Sequence, residues 1–155
     1  MCYSDGYNID FPSSTINRIR NSECTKAKLM LGCRRSSSPN TIQLLAWASR
    51  DCVFTDTGSN RQGVTSCEGT DWYFSYDWSW GFVKQGDDLD RYSCDYITPG
   101  CNDCRMCWHT PSSGYRCGAD IDGTSSFEKV IFQTGKNVIF LNSQLQASQK
   151  NSDYI

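Results

Sequence analysis

Residues 71–83 read D-W-Y-F-S-Y-D-W-S-W-G-F-V, and every second residue from Trp72 onwards is aromatic. The residues between the aromatics are mostly small or polar. A period of two over this length is typical of a β-strand with one apolar face and one solvent-exposed face. The stretch is about twice as long as a usual strand, so we expect it to bend or break at Gly81 or near Asp77. The aromatic positions are Trp72, Phe74, Tyr76, Trp78, Trp80 and Phe82.

This aromatic stripe has two interpretations. In the first interpretation, the stripe forms the core of the domain, because aromatic side chains dominate burial in small domains. Alternatively, its Trp78–Trp80 end leaves the core and meets a ligand. An aromatic ring beside the polar Asp77 and Ser79 suits a sugar, whose C–H face stacks on the ring while its hydroxyls bond to polar neighbours.

The rest of the chain extends the β pattern. Turn signals separate short apolar runs, and no amphipathic helix of any length is evident. We therefore predict an all-β, compact, disulfide-rich single domain with long irregular loops, sandwich- or barrel-like. Residues 1–27 form an irregular segment tied by a disulfide, residues 28–141 the β-rich domain, and residues 142–155 a polar tail. Further strands are predicted at residues 27–33, 41–48, 52–55, 127–132 and 138–141, the last two joined by a turn at residues 136–137.

Ten cysteines in 155 residues indicate an oxidising compartment. An even count at this density is typical of a secreted disulfide framework, and we expect a secreted, extracellular protein. Met1 is then interpreted as an expression start at the point where a signal peptide was removed. The cysteines are Cys2, Cys24, Cys33, Cys52, Cys67, Cys94, Cys101, Cys104, Cys107 and Cys117.

Charge and hydropathy exclude two classes of partner. The net charge is -2 and the basic residues are scattered, whereas nucleic-acid binding needs a concentrated positive field. No apolar run approaches the roughly 20 residues that cross a bilayer. We therefore expect neither nucleic acid nor a membrane span.

One cysteine-rich run and two acidic turns resemble metal sites without matching one. The run C-N-D-C-R-M-C-W-H at residues 101–109 holds four zinc-type ligands, but so close together that they hardly wrap an ion tetrahedrally. The pairs Asp88/Asp90 and Asp120/Asp122 suit calcium, yet neither turn matches an EF-hand, because the third acidic position and the glutamate at position twelve are missing. We predict no cofactor, with calcium at these turns as the alternative.

Several short motifs resemble a cysteine-rich domain of secreted marine invertebrate proteins. They are L-G-C-R (31–34), S-W-G-F (79–82), G-D-x-x-x-R-x-S-C-D (86–95), C-W-H-T (107–110), G-Y-R-C-G (114–118) and F-E-K-V-I-F (127–132). The resemblance covers roughly residues 28–133 and implies one extracellular domain, without an established fold or activity. It implies Cys33, Cys94, Cys107 and Cys117 as the basic cysteine set. The remaining six would then pair as Cys2–Cys24, Cys52–Cys67 and Cys101–Cys104.

These observations favour a secreted, lectin-like protein that recognises a glycan without catalysis. One alternative is a protein-binding effector, a toxin or a signal, whose contact surfaces are residues 34–40 and the tail. Another is a matrix or adhesive component, and the oligomeric state stays open. An enzyme ranks last, because the chain has a single histidine and no nucleophile elbow. The predicted ligand-binding residues are Trp78, Trp80, Asp88, Asp90, Arg91, Trp108, His109, Tyr115 and Arg116.

Overall fold

A computed structural model describes residues 1–92, 94–95, 97, 104–121 and 125–135. The prediction of an all-β, disulfide-rich domain is confirmed, since antiparallel strands dominate these residues. Helix α1 (Ser13–Arg18) continues into a π-helical turn (Ile19–Glu23), and helix α2 spans Arg50–Val53. The strands are β1 (Tyr3–Gly6), β2 (Lys28–Arg35), β3 (Leu44–Ser49), β4 (Thr65–Cys67), β5 (Thr70–Phe74), β6 (Ser79–Lys84), β7 (Arg91–Tyr92), β8 (Cys94–Asp95), β9 (Arg105–His109), β10 (Gly114–Cys117), β11 (Asp120–Ile121) and β12 (Phe127–Thr134).

The aromatic stripe folds back on itself as a hairpin. Strands β5 and β6 pair antiparallel, and the chain turns at residues 75–78, near the expected break at Asp77. Trp72 then lies opposite Phe82 and Phe74 opposite Trp80, so the alternation continues across the hairpin on one face of the sheet. Those four aromatic side chains are buried. Most of the stripe is therefore core.

Two antiparallel sheets enclose this core. One has the strand order β1-β12-β2-β3, and the other has the order β11-β10-β9-β6-β5-β4. Alternate residues such as Leu29 and Leu31 of β2 join Trp80 and Phe82 of β6 in one apolar cluster. The strands β7 and β8 form a separate two-stranded ribbon.

The middle of the core is aromatic rather than aliphatic. The ring of Phe11 stacks on Trp80 at 5.9 Å between centroids and meets the edge of Trp108 at 5.7 Å. Trp80 and Trp108 meet edge to face at 5.5 Å. Such geometries are favoured by the ring quadrupoles and add to the burial of a large apolar area.

The N-terminal residues differ from the prediction of an irregular segment. Strand β1 pairs with β12, and Tyr7 and Phe11 are completely buried in the core. The predicted strand at residues 52–55 is also wrong. Helix α2 forms there because the hydroxyl of Ser49 accepts a hydrogen bond from the backbone N–H of Cys52 and caps the helix. The predicted hairpin turn at 136–137, the strand at 138–141 and the tail lie outside the described residues.

Four disulfides join the described residues. The expected pairs Cys2–Cys24 and Cys52–Cys67 are both formed. The basic cysteine set pairs as Cys33–Cys117, which joins the two sheets, and as Cys94–Cys107. Cys101, the expected partner of Cys104, lies outside the described residues.

Candidate functional site

The structure does not bring the nine predicted ligand-binding residues together at one surface. Four of them are buried and so cannot line a surface site: Trp80, Trp108, Arg91 and Arg116. The others are exposed to different degrees: Trp78, Asp88, Asp90, His109 and Tyr115.

Trp80 and Trp108 belong to the core, and their polar atoms are used there. The indole N–H of Trp80 donates to the backbone carbonyl of Val53 at 3.2 Å. The indole N–H of Trp108 donates to the hydroxyl of Tyr7 at 3.3 Å. A buried indole that has both its ring and its N–H satisfied has no free group for a ligand.

Arg91 is a clamp inside the protein rather than a surface ligand. Its guanidinium donates to Thr57, to the carbonyl of Gly58 and to the hydroxyl of Ser79. These bonds hold the loop before β4 against the start of β6. The guanidinium carbon lies 5.1 Å from the ring centre of Trp78, and this cation–π contact helps to hold the ring in place. Burial lowers the pKa of Arg91.

Arg116 belongs to a buried charge cluster that the sequence analysis did not predict. The Asp95 carboxylate accepts hydrogen bonds from Arg116 at 3.2 Å and from Arg105 at 3.3 Å. Burial raises the pKa of Asp95, and the two guanidiniums oppose that shift. One signal was present in the sequence: in R-M-C-W-H and G-Y-R-C, an arginine stands on the strand face opposite the core residues.

The acidic turns are engaged in ion pairs. The Asp90 carboxylate accepts bidentate hydrogen bonds from the Arg61 guanidinium at 2.7 and 2.8 Å. Asp120 forms an ion pair with Arg35 at 3.1 Å. The side chain of Asp88 is exposed. Within the described part of the chain, no three His, Cys, Asp or Glu side chains lie close enough to hold a metal ion. Asp122 lies outside that part.

The zinc-type cluster is separated by disulfide formation. Cys107 is bonded to Cys94 and is therefore not available as a thiolate ligand. His109 is the last residue of β9, and its ring lies beside the ring of Tyr115. The ring centres of His109 and Tyr115 are 6.2 Å apart.

Three partly exposed rings remain, and they follow one another across neighbouring strands. We name Trp78, His109 and Tyr115 the aromatic row. Trp78 immediately precedes β6, His109 ends β9, and Tyr115 lies in β10. Strands β6, β9 and β10 are consecutive in the six-stranded sheet. His109 and Tyr115 therefore lie on neighbouring strands, and Trp78 lies in the turn that leads into the next strand of the same sheet.

Strand register and a β-bulge determine where the residues of the row lie. Ser79 and His109 are register partners, and the carbonyl of Trp78 accepts a hydrogen bond from the N–H of Thr110, so Trp78 lies across from the residue that follows His109. The pairing of β9 with β10 shifts register between Gly114 and Arg116, which is a bulge at Tyr115. A bulge turns a side chain to the other face of its strand, and here Tyr115 meets His109.

The row is electrically neutral near pH 7. Partial burial lowers the pKa of His109, so its imidazole is uncharged at that pH. A neutral imidazole combines one N–H donor with one acceptor nitrogen. The row thus combines three partly exposed aromatic rings with an uncharged imidazole, and such ring faces suit the C–H face of a sugar.

No protein-family model, curated protein or solved structure matches this chain. The resemblance to marine invertebrate domains therefore stays a prediction. None of the described helices is both long and apolar enough to cross a membrane.

Proposed function

We propose that this protein is a secreted, non-catalytic, lectin-like protein that binds a glycan at the aromatic row. The observation that carries the proposal is that Trp78, His109 and Tyr115 are each partly exposed and lie in or directly before three neighbouring strands of one sheet. The C–H face of a pyranose stacks on Trp78 and Tyr115. The imidazole of His109, which lies beside Tyr115, extends the flat surface on which the sugar rests.

The supports of the row favour a rigid binding surface. The backbone carbonyl of Trp78 accepts a hydrogen bond from the N–H of Thr110 at 3.1 Å. The Thr110 hydroxyl donates to the carbonyl of Ser75 at 2.6 Å, and the Arg91 guanidinium lies against the Trp78 ring. Rings that are already held in place lose little conformational entropy when a ligand binds.

The disulfides support the extracellular part of the proposal. Four disulfides join described residues, and such bonds are common in secreted proteins and rare in cytosolic ones. A cross-linked scaffold also suits a protein that must keep a small surface fixed without a large aliphatic core.

The test is a glycan array with the oxidised protein, followed by titration of each hit with detection by tryptophan fluorescence. The variants Trp78→Leu, His109→Ala and Tyr115→Ala are compared with the matched control Tyr92→Ala. Tyr92 is 67% exposed and lies outside the row. Circular dichroism and thermal melting first establish that each variant is folded.

We expect each row variant to weaken binding about two- to tenfold, which corresponds to the roughly 0.5–1.5 kcal/mol of one aromatic contact. Tyr92→Ala should bind as the wild type does. The proposal fails if no glycan binds, or if all four variants bind a glycan equally well.

A further inference from the structure

We propose that Arg20 and Arg50 form a binding site for a tetrahedral oxyanion, a sulfate or phosphate group. Arg20 lies in the π-helical turn, and Arg50 is the first residue of helix α2. Both residues are partly exposed, so a solute reaches them. The site is independent of the proposed function, because it shares no residue with the aromatic row.

One buried ring brings the two guanidinium groups together. The guanidinium carbon of Arg20 lies 5.3 Å from the ring centre of Phe54, and that of Arg50 lies 5.5 Å from the same centre. A terminal nitrogen of Arg50 also donates a hydrogen bond to the backbone carbonyl of Arg20. Two cations that share one ring repel each other, and an anion bound beside them relieves that repulsion.

The positive charge of this pair is not neutralised by a described carboxylate in contact with it. Glu23, which follows Arg20 by three residues, is already paired with Arg18 at 2.9 Å. Asp51 follows Arg50 in the sequence, yet no ion pair between described residues joins it to either arginine. In the part of the chain that the structure describes, the ion pairs are formed by other arginines, namely Arg18, Arg34, Arg35, Arg61, Arg105 and Arg116.

Arg20 keeps most of its hydrogen-bond donors for a ligand. A guanidinium group carries five N–H donors. Among the described residues, that of Arg20 donates to one group, the hydroxyl of Tyr76, at 3.2 Å. This hydroxyl donates in turn to the amide oxygen of Asn17 at 3.0 Å, so its oxygen is left to accept from Arg20. The remaining N–H groups of Arg20 can bind two oxygens of one anion.

The scaffold around the pair is cross-linked on both sides. The Nε–H of Arg50 donates to the backbone carbonyl of Cys24 at 3.3 Å, and Cys24 is bonded to Cys2. Within α2, Cys52 is bonded to Cys67. Cations that are already held in place lose little conformational entropy when an anion binds.

The number of guanidinium groups favours a tetrahedral anion over a carboxylate. The two oxygens of a carboxylate lie in one plane and match the fork of a single arginine. A sulfate or phosphate group has further oxygens that point in other directions. It can therefore accept hydrogen bonds from two arginines that belong to separate segments of the chain.

The experiment records proton–nitrogen NMR correlation spectra of the full chain, including the arginine Nε–H signals, during titration with sodium sulfate. Sodium chloride at equal ionic strength is the reference. We expect the Nε–H signals of Arg20 and Arg50 to shift and saturate with sulfate alone. Arg20→Gln should raise the sulfate Kd, followed at Arg50, about tenfold or more, because hydrogen bonds to a charged group are lost. Arg18→Gln removes the same charge from an arginine that is already paired, and it should bind as the wild type does.

Shifts that grow linearly with sulfate, or that chloride reproduces, would refute the site in the wild type itself, whatever the variants do. Equal losses of binding in Arg18→Gln and Arg20→Gln would also refute it, because the effect would then be one of net charge. Acetate that binds as tightly as sulfate would refute the tetrahedral class.

A sulfated N-acetylglucosamine, compared with the unsulfated sugar, separates two sources of the oxyanion. The unsulfated sugar should leave the Arg20 signal in place. A lower Kd for the sulfated sugar than for inorganic sulfate assigns the site to a sulfated glycan, and an equal Kd assigns it to the free ion. Because none of these measurements uses the aromatic row, failure of the oxyanion site and failure of the proposed function are distinguishable.

Discussion

Replacing Lys129 by methionine should change how the stability of the protein depends on pH. Lys129 is fully buried, and its ammonium donates to the backbone carbonyls of Gly6 and Ile9. The ammonium also lies 5.3 Å from the ring centre of Phe11. Both of these acceptors are uncharged, and burial lowers the pKa of Lys129 from 10.5 to about 8, although the charges of Asp5 and Asp10 oppose the shift.

The sign and size of the effect follow from this pKa. In the unfolded chain, Lys129 keeps its proton up to about pH 10, whereas in the folded protein it loses the proton near pH 8. Between these values the unfolded state binds more protons, so the free energy of unfolding rises with pH. Two pKa units correspond to about 2–3 kcal/mol between pH 7 and pH 10.

The assay is urea unfolding at pH 7, 8, 9 and 10, with detection by tryptophan fluorescence and the disulfides intact. Burial also raises the pKa of Tyr3, Tyr7 and Tyr73, which lowers stability above about pH 10 in both proteins. The measured quantity is therefore the difference between the wild type and Lys129→Met. The exposed Lys84→Met serves as the control and should show no such difference.

The expected difference grows by about 2–3 kcal/mol in favour of the wild type from pH 7 to pH 10. A difference that stays constant within about 0.5 kcal/mol would mean that buried Lys129 titrates as it does in water. That result would refute the argument that its environment disfavours the charged form.

Three further outcomes are expected. Replacing Cys33 and Cys117 together by alanine should lower the free energy of unfolding by about 4–5 kcal/mol, because the bond closes a loop with a sequence separation of 84; a loss below about 1 kcal/mol in urea unfolding would contradict this. Gly114→Ala should destabilise the protein by about 1–3 kcal/mol, because the added Cβ would lie 2.1 Å from the ring of Tyr7; an unchanged melting temperature would show that the ring moves aside freely. EDTA should leave glycan binding unchanged, because the Asp90 carboxylate is already paired with an arginine; a loss that calcium restores would establish a cation site.

The sequence predicted the core well where one local pattern decided the outcome. The alternation in residues 71–83 predicted the sheet and the burial of most of its aromatics, and the expected break near Asp77 is the hairpin turn. Local pattern failed at residues 52–55, where an apolar run of strand composition became part of a helical turn. The helix depends on a hydrogen bond from the backbone N–H of Cys52 to the hydroxyl of Ser49, and the pattern of apolar residues does not reveal this bond.

The site was less predictable because burial of a charged side chain depends on remote partners. Arg91 and Arg116 were expected at the surface, as arginine usually is. Arg91 is instead satisfied by groups on Thr57 and Gly58, and Arg116 by the carboxylate of Asp95. Only folding brings these acceptors within reach.

The sequence by itself determined that the chain forms β-strands with an aromatic core and a disulfide framework, because period, composition and cysteine number are local or additive properties. The tertiary structure decided which rings of Trp78, Trp80 and Trp108 reach the surface. It also decided that Cys33 pairs with Cys117 and that Tyr115 lies beside His109. These outcomes depend on strand order, on register and on a single bulge, which are set by contacts between residues far apart in the chain.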